Sequence, residues 1–365
     1  MMGIITGMKK VHVLTPGYWS ANSQSFLNPL LINRRLLQNS GVGLVFFSSI
    51  SDSIGECDYL LIDSKFFKPY WAGRSKEALE IIERLSQEIT TVLWFHTGDS
   101  AGALGSYAKS ILPFVKAFFK SQVYADKTLY QTPLYGNRLY TDFYHRHVGI
   151  NDETVPELDS ILDSEELSKI QVSWNIGFAR CFNFYGEYIA SLYNRFPSKL
   201  LLSISPMFHE ASKRRTRDAY TRMGLNFPRE TVGYQRAQLA LLMGKQPRVS
   251  RAQYYKEMKQ SKVVVSPFGW GEINNRDFEA FIYGCLLLKP SMDHLETYPN
   301  FFIERETYIS YKWDLSDMKD VIEDAVHNYK QYREIAHTAQ QRYVDIVFSR
   351  TGRENFVRYF LSLLK

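Results

Sequence analysis

The sequence predicts an α/β protein built from two Rossmann-like halves, and three observations carry that prediction. Short apolar runs alternate with amphipathic helical stretches, the signature of βα units feeding a parallel sheet. The alternation lapses over about 126–170 and restarts after Pro197. The length, 365 residues, suits two domains of roughly 150 residues each. Hydrophobic residues make up 45% and charged residues 22%, the balance of a folded chain that buries a core without metal or disulfide staples.

Taken in order, Val11–Leu14 is a strand closed by Thr15-Pro16-Gly17. A helix follows from about Ser25 to Gln38, with Gly41 placed to stop it. Leu44–Phe47 and Tyr59–Ile62 are the next strands. Lys76–Gln87 carries Ala78, Leu79, Ile81, Ile82 and Leu85 at helical spacing, which predicts one apolar face. Thr91–Phe95 is a buried strand that ends at His96-Thr97-Gly98-Asp99, and a helix is expected from Gly105 to about Lys120. Residues 126–170 are Tyr-rich and then acidic, with no clear period. A helix near Tyr185–Phe196 leads to Pro197, which marks the domain boundary. The second half repeats the pattern: a strand at Leu200–Ile204, a basic run Lys213–Arg217 opening a helix, and a strand at Val263–Val265. Then come a helix over Glu272–Tyr283, a strand at Leu286–Leu288, and two or three helices from Ser316 onward. The domains are therefore 1–197 and 198–349.

Composition narrows the function classes. Tyr, Phe and Trp reach 15% of the chain, a content that suits gripping flat or sugar-like ligands as well as an aromatic core. The net charge of +6 favours an anionic ligand and is too weak to indicate nucleic acid. Cys57, Cys181 and Cys285 are far apart and lack metal-ligand spacing, so neither a disulfide framework, a zinc site nor any other metal site is expected. No run approaches the 18 or so apolar residues of a membrane span. Lys9 and Lys10 follow the weakly apolar start instead of preceding it, so no signal peptide is expected and the chain reads as cytoplasmic. The first seven residues read as an extension.

The most informative segment is SPFGWGEINNRDFEAFIYGC, Ser266 to Cys285. A strand runs into Pro267, Gly269 and Gly271, and glycines there let backbone approach a ligand while free N–H groups at the helix start favour phosphate. On a helix beginning at Glu272, Glu272, Arg276 and Glu279 fall on one face. That stripe suits hydroxyl recognition by the acids and phosphate recognition by Arg276. It equally describes an exposed salt-bridged face.

The segment resembles the donor-site motif of GT-B glycosyltransferases, in particular the bacterial group related to the spore-maturation and exostosin-like enzymes. The matching residues are Gly269 and Gly271, Glu272, Arg276, Phe278-Glu279-Ala280, Gly284-Cys285 and the Leu-Leu-Leu-Lys-Pro that follows. Many retaining members place seven residues between the two acids, whereas six lie between Glu272 and Glu279. The resemblance implies a GT-B fold: two Rossmann-like domains facing each other across a cleft, acceptor in the first and donor in the second. Glu279 then corresponds to the ribose-contacting glutamate, Glu272 to a donor-sugar contact, and the last helix, about 350–365, crosses back onto the first domain. Arg214 and Arg217 in the basic run are candidates for the donor diphosphate. A second stretch, WFHTGDSAGALGSYAKSILPFVKAFFKSQVYADKTLY with YGNRLYTDFYHRHVGI after it, is similar to bacterial surface-polysaccharide transferases.

Inverting members need a base for the acceptor hydroxyl, and Asp99 and His96 fall at the carboxyl edge of a strand where the cleft is expected. Asp142, His145 and His147 remain open as further candidates. Tyr107, Ile111, Phe114, Val115, Phe118 and Phe119 interleave with Lys109, Lys116 and Lys120, and on a helix this face suits either an anionic lipid surface or the core. The implied protein is a metal-independent glycosyltransferase without a cofactor. It moves a sugar from an activated donor, a sugar nucleotide, to a glycan or lipid-linked glycan acceptor such as lipopolysaccharide O-antigen or capsule. Its expected place is the cytoplasm, at the inner face of the membrane, and nucleic acid is not an expected partner. A GT-B-like sugar-nucleotide epimerase and a non-catalytic glycan- or nucleotide-binding protein are the alternatives.

Overall fold

The computed structural model describes residues 7–18, 20–159, 161–179, 192 and 207–365. The expected helix near Tyr185–Phe196, the Pro197 boundary, the Leu200–Ile204 strand and Cys181 lie outside the described residues.

Two parallel sheets organise the chain. The first joins β1 (Lys9–Leu14), β2 (Val42–Phe47), β3 (Tyr59–Asp63), β4 (Thr91–His96), β5 (Ala117–Lys120) and β7 (Ile170–Val172). Their order is β2-β1-β3-β4-β5-β7, with every neighbouring pair parallel. The second sheet joins β8 (Arg217–Tyr220), β9 (Ser261–Val265), β10 (Leu286–Pro290) and β12 (Ile309–Tyr311) in the order β12-β10-β9-β8, again all parallel. A short antiparallel ladder between β6 (Gln122–Tyr124) and β11 (Leu295–Thr297) stitches the two halves together. This is the two-domain Rossmann-like arrangement expected from the pattern of apolar runs.

Helices cover the sheets. In the first half they are α1 (Ala21–Ile32), α2 (Arg34–Asn39), α3 (Lys68–Trp71), α4 (Ser75–Glu88), α5 (Ala108–Ile111), α6 (Leu139–Phe143) and α7 (Ser164–Ser168). In the second they are α8 (Glu230–Met243), α9 (Arg251–Gln260), α10 (Asn275–Ile282), α11 (Met318–His327), α12 (Tyr329–Val347) and α13 (Arg350–Leu363). α4 buries Ala78, Ile82 and Leu85, the stripe its spacing predicts.

Four expectations change. The helix over Ser25–Gln38 breaks at Asn33, whose side-chain amide donates to the carbonyl of Pro29 one turn back. The helix from Gly105 to Lys120 stops at Ile111 because Pro113 cannot donate the next backbone bond. Ala117–Lys120 is instead an interior strand buried on both faces, Lys120 included at 1% exposure, so the basic aromatic helix face does not exist. The run Lys213–Arg217 opens no helix. Its last residue starts β8, and buried Arg215 donates to the carbonyls of Glu210, Lys259 and Gly284. Finally, the Asn274–Asp277 capping box starts α10 at Asn275, which leaves Glu272 in the turn before the helix.

The largest apolar cluster crosses the two halves. It runs from Val11 and Phe95 through Trp174 to Phe278, Tyr343 and Phe360. α13 packs back on the first half: Arg353 donates to Asn33 Oδ1 and the Ile32 carbonyl at the α1–α2 junction, and Tyr359 to the Val172 carbonyl on β7. Among the described residues no helix is long and apolar enough to cross a membrane.

Candidate active site

Parallel sheets present ligands at the carboxyl ends of their strands, and here those ends face each other. β4 ends at His96 and feeds the Thr97-Gly98-Asp99 loop. β9 ends at Val265 and feeds the turn Ser266–Asn274. The loops meet at Gly271, which sits so close to the Asp99 carbonyl that a β-carbon would overlap it.

On the first-domain side, a cleft of about 450 Å³, solvent-open space included, is lined by Asn22, His96, Thr97, Asp99, Gln122 and Asn175, among others. The structure thus brings Asp99 and His96 together. Asp99 is exposed, and its Oδ1 accepts from Asn22 Nδ2 at 2.5 Å. The His96 Nδ1 lies 2.9 Å from the Tyr107 hydroxyl and its ring stacks on Phe118. Burial, with Lys120 nearby, holds its pKa well below the usual imidazole range, so the ring is neutral at pH 7. Asp142, His145 and His147 do not line this cleft. Asp142 accepts from the Tyr135 N–H and Arg146, while the two histidines bond the carbonyls of Ile150 and Phe143.

On the second-domain side the turn is pinned from within. Asp277, at the third position of α10, takes the Lys289 ammonium at 3.0 Å, with both side chains at 0% exposure. It also accepts from Ser266 Oγ at 2.5 Å and from the Asn274 N–H at 2.9 Å. The first domain holds the other side of the turn: Tyr140 donates to the Gly269 carbonyl at 2.7 Å and Arg138 to the Trp270 carbonyl at 3.0 Å. Gly284, at φ 60°, closes α10 and packs against the His209–Ala211 backbone where a β-carbon would not fit.

Glu272 is fully buried and its carboxylate belongs to the domain junction. It accepts from Ser100 Oγ (3.2 Å), the Ala101 N–H (3.1 Å) and Gln122 Nε2 (2.8 Å). Burial raises its pKa against the pull of those donors. The exposed acid–base–acid stripe expected from the sequence is therefore absent.

Arg276 and Glu279 remain together. Glu279 is 8% exposed and accepts from the Tyr254 hydroxyl at 2.6 Å and the Tyr255 hydroxyl at 3.3 Å. Burial raises its pKa, with Tyr254 and Arg276 pulling the other way. Arg276 donates to the Arg222 carbonyl at 2.7 Å, and its buried Nε has no partner. Beside it stands a residue the sequence reading missed. Arg236 on α8 donates to the Phe268 carbonyl at 2.8 Å, and its guanidinium occupies the space left by the missing side chain of Gly269. Burial and the neighbouring Arg276 bring the Arg236 pKa down to about 10. Among the described residues neither arginine forms an ion pair, and the buried hydroxyls of Tyr220 and Tyr311, both coupled electrostatically to Arg276, lack partners. The one available signal for Arg236 was its being the single charged residue between Glu230 and Lys245. The other two candidates lie elsewhere: Arg217 pairs with Glu257 at 2.9 Å, and Arg214 is exposed in the preceding loop.

Two parallel-sheet, Rossmann-like halves with a glycine-rich turn at their junction make the chain an α/β protein with a cleft at the strand ends. Residues 206–346, which contain the second sheet, match the family model described as glycosyl transferase-like. No curated protein sequence matches the chain. Similar solved structures include HepE from Anabaena in complex with UDP (10% identity, 98% of this chain and 99% of that chain, TM-score 0.46). MnaA from S. aureus with UDP is also similar (12% identity, 98% of each chain, TM-score 0.40). An α1,3-fucosyltransferase is a third (11% identity, 98% of this chain and 90% of that one, TM-score 0.39).

Proposed function

We propose that the protein transfers a sugar from a nucleoside diphosphate sugar to the hydroxyl of a glycan acceptor, without a bound metal. The observation that carries this reading is the paired Arg236 and Arg276. Two part-buried guanidiniums close enough to repel each other, neither in an ion pair among the described residues, are stabilised by a doubly charged ligand. In this reading they take the diphosphate, and their charge stabilises the departing nucleotide in the transition state. Glu279, three residues along α10 from Arg276, accepts the ribose hydroxyls. Gly269 and Gly271 give the donor room at the turn, while Glu272 fixes the two domains at the spacing that transfer requires. Arg214 and Arg217 stand outside the donor site.

The acceptor occupies the cleft beside Asp99. The Asp99 carboxylate, oriented by Asn22, removes the acceptor proton as the hydroxyl attacks the anomeric carbon, and the C–O bond to the nucleotide breaks as the new glycosidic bond forms. His96, neutral and held by Tyr107, serves as a hydrogen-bonding wall of that cleft. A surface glycan on a lipid carrier, as in O-antigen or capsule, is the proposed acceptor class, met at the inner face of the membrane.

Thermal stability against UDP, GDP, ADP and CMP, with and without magnesium, tests the donor half. Ligand at 100 times its dissociation constant adds about 2.7 kcal/mol, so one metal-independent shift supports the reading and no shift with any of them overturns it. Product analysis with the matching sugar nucleotide separates transfer, which yields a longer glycan, from isomerisation of the donor.

A further inference from the structure

α8 ends in Leu241-Leu242-Met243, and these three consecutive side chains face solvent at 75%, 37% and 38% exposure. Scattered exposed apolar residues are ordinary, but a contiguous group at a helix end is not. Gly244 stops the helix, and exposed Lys245 and Arg248 follow in the loop. From Thr231 to Lys256 the chain has no Asp or Glu and five Lys or Arg. Neither Lys245 nor Arg248 forms an ion pair among the described residues. The carboxylates packed nearby are already neutralised: Glu257 by Arg217 and Arg222, and Asp218 by Lys262. The patch is therefore apolar at its tip and cationic at its rim.

Its position is fixed as well. Gln246 donates to Thr221 Oγ1 at 3.0 Å, and Arg222 donates to the Pro247 carbonyl. Thr221 and Arg222 continue from the carboxyl end of β8, and it is the Arg222 carbonyl that receives Arg276. Thr221 and Arg222, just beyond β8, thus contact both the exposed tip and Arg276.

We infer that the tip 241–248 rests on an anionic lipid surface. Leu241, Leu242 and Met243 enter the boundary between headgroups and acyl chains, and Lys245 and Arg248 meet the headgroup phosphates. Apolar insertion and basic attraction are the two signals that together hold a peripheral protein on a bilayer. The consequence for catalysis, a protein held at the membrane that carries its acceptor, rests on the function proposed above. The contact itself does not, and its test needs neither donor nor acceptor.

Co-sedimentation of the full chain with vesicles of phosphatidylcholine alone, or with a one-third share of phosphatidylglycerol, tests the inference. Binding is expected on the anionic vesicles and should weaken with salt. Lys245→Gln with Arg248→Gln should lower it about fivefold for each charge removed. Leu241→Ser with Leu242→Ser should lower it at least about tenfold, since apolar area is lost from the interface. Both double variants should melt at the wild-type temperature and keep the nucleotide-induced shift, because the replaced side chains are exposed. Wild-type protein that stays in the supernatant with anionic vesicles overturns the inference, as does binding that neither variant weakens. A dimer on gel filtration that the Leu241→Ser, Leu242→Ser variant dissociates, without vesicle binding, would assign the tip to a second copy and likewise overturn it.

Discussion

Replacing Lys289 by Met strands the Asp277 carboxylate at the start of α10 with only Ser266 Oγ and the Asn274 N–H as donors. The pair is fully buried, with 3.0 Å between charges, and removing one partner of such a pair costs about 3–5 kcal/mol. Asp277→Asn should cost a similar amount for the opposite reason, since the buried Lys289 ammonium loses its counter-charge and keeps only neutral acceptors and the face of the Phe268 ring. In the double variant no charge remains, and the amide oxygen introduced at position 277 still accepts from the Asn274 N–H. The loss there should fall to about 1–2 kcal/mol, because a buried pair replaced by neutral groups is close to neutral in stability. At roughly 2–4 °C per kcal/mol for a domain of 150–250 residues, each single variant should melt about 6–20 °C lower and the double within a few degrees of wild type. Differential scanning calorimetry of the four proteins at pH 7.5 measures the cycle. Additive losses, with the double variant as unstable as the two singles summed, would refute the claim that these charges are each other's compensation.

Four further outcomes follow from the site. Arg236→Met should weaken nucleoside diphosphate binding by about 1.5–3 kcal/mol, the worth of a charge-assisted bond, as measured by calorimetric titration; unchanged affinity removes Arg236 from the donor site. Glu279→Gln should weaken the nucleoside diphosphate and leave inorganic pyrophosphate affinity unaffected, whereas equal losses for both ligands would contradict a ribose role. Asp99→Asn should keep donor binding and lower turnover about 10²–10⁴-fold, the range of a lost general base; normal turnover dismisses it. Lys120 carries a pH signature. Burial brings its pKa down to about 7, against about 10.4 in an unfolded chain. Between those values only the unfolded state holds the proton, so wild-type stability should rise with pH from about 7 to 9.5 through this residue. The stability of Lys120→Met relative to wild type should therefore fall as pH rises across that window, and a pH-independent difference would show that the side chain is not desolvated.

Much of the fold was legible because parallel-sheet strands are buried on both faces and announce themselves as continuous apolar runs, as at Val11–Leu14, Thr91–Phe95 and Val263–Val265. Lys120 shows where the same logic failed. A lysine every few residues suggested a helix, and nothing local reveals that this one is buried at a strand end, donating to the Ala103 carbonyl. The glycine-rich turn was readable from its composition, yet the role of Glu272 was not, since its partners lie some 150 to 172 positions earlier in the chain. Arg236 escaped for a similar reason: its meaning comes from a tertiary neighbour, Arg276, and from the empty space at Gly269. Residues 126–170 resisted periodicity because they form short turns and single helical turns, held by long-range bonds such as Tyr140 to Gly269.

The return of α13 to the first sheet has a consequence for biosynthesis. Residues 350–363 leave the ribosome well after Trp174 and Phe178, but they supply Phe356 and Phe360 against Trp174, and Phe356 against Phe178. Until they emerge, one side of Trp174 and Phe178 stays uncovered, although Trp174 still packs on Phe26 and Phe95. The first half is thus completed by a segment made well after it, and a nascent chain arrested before residue 350 should remain a substrate for chaperones that hold exposed aromatic surface.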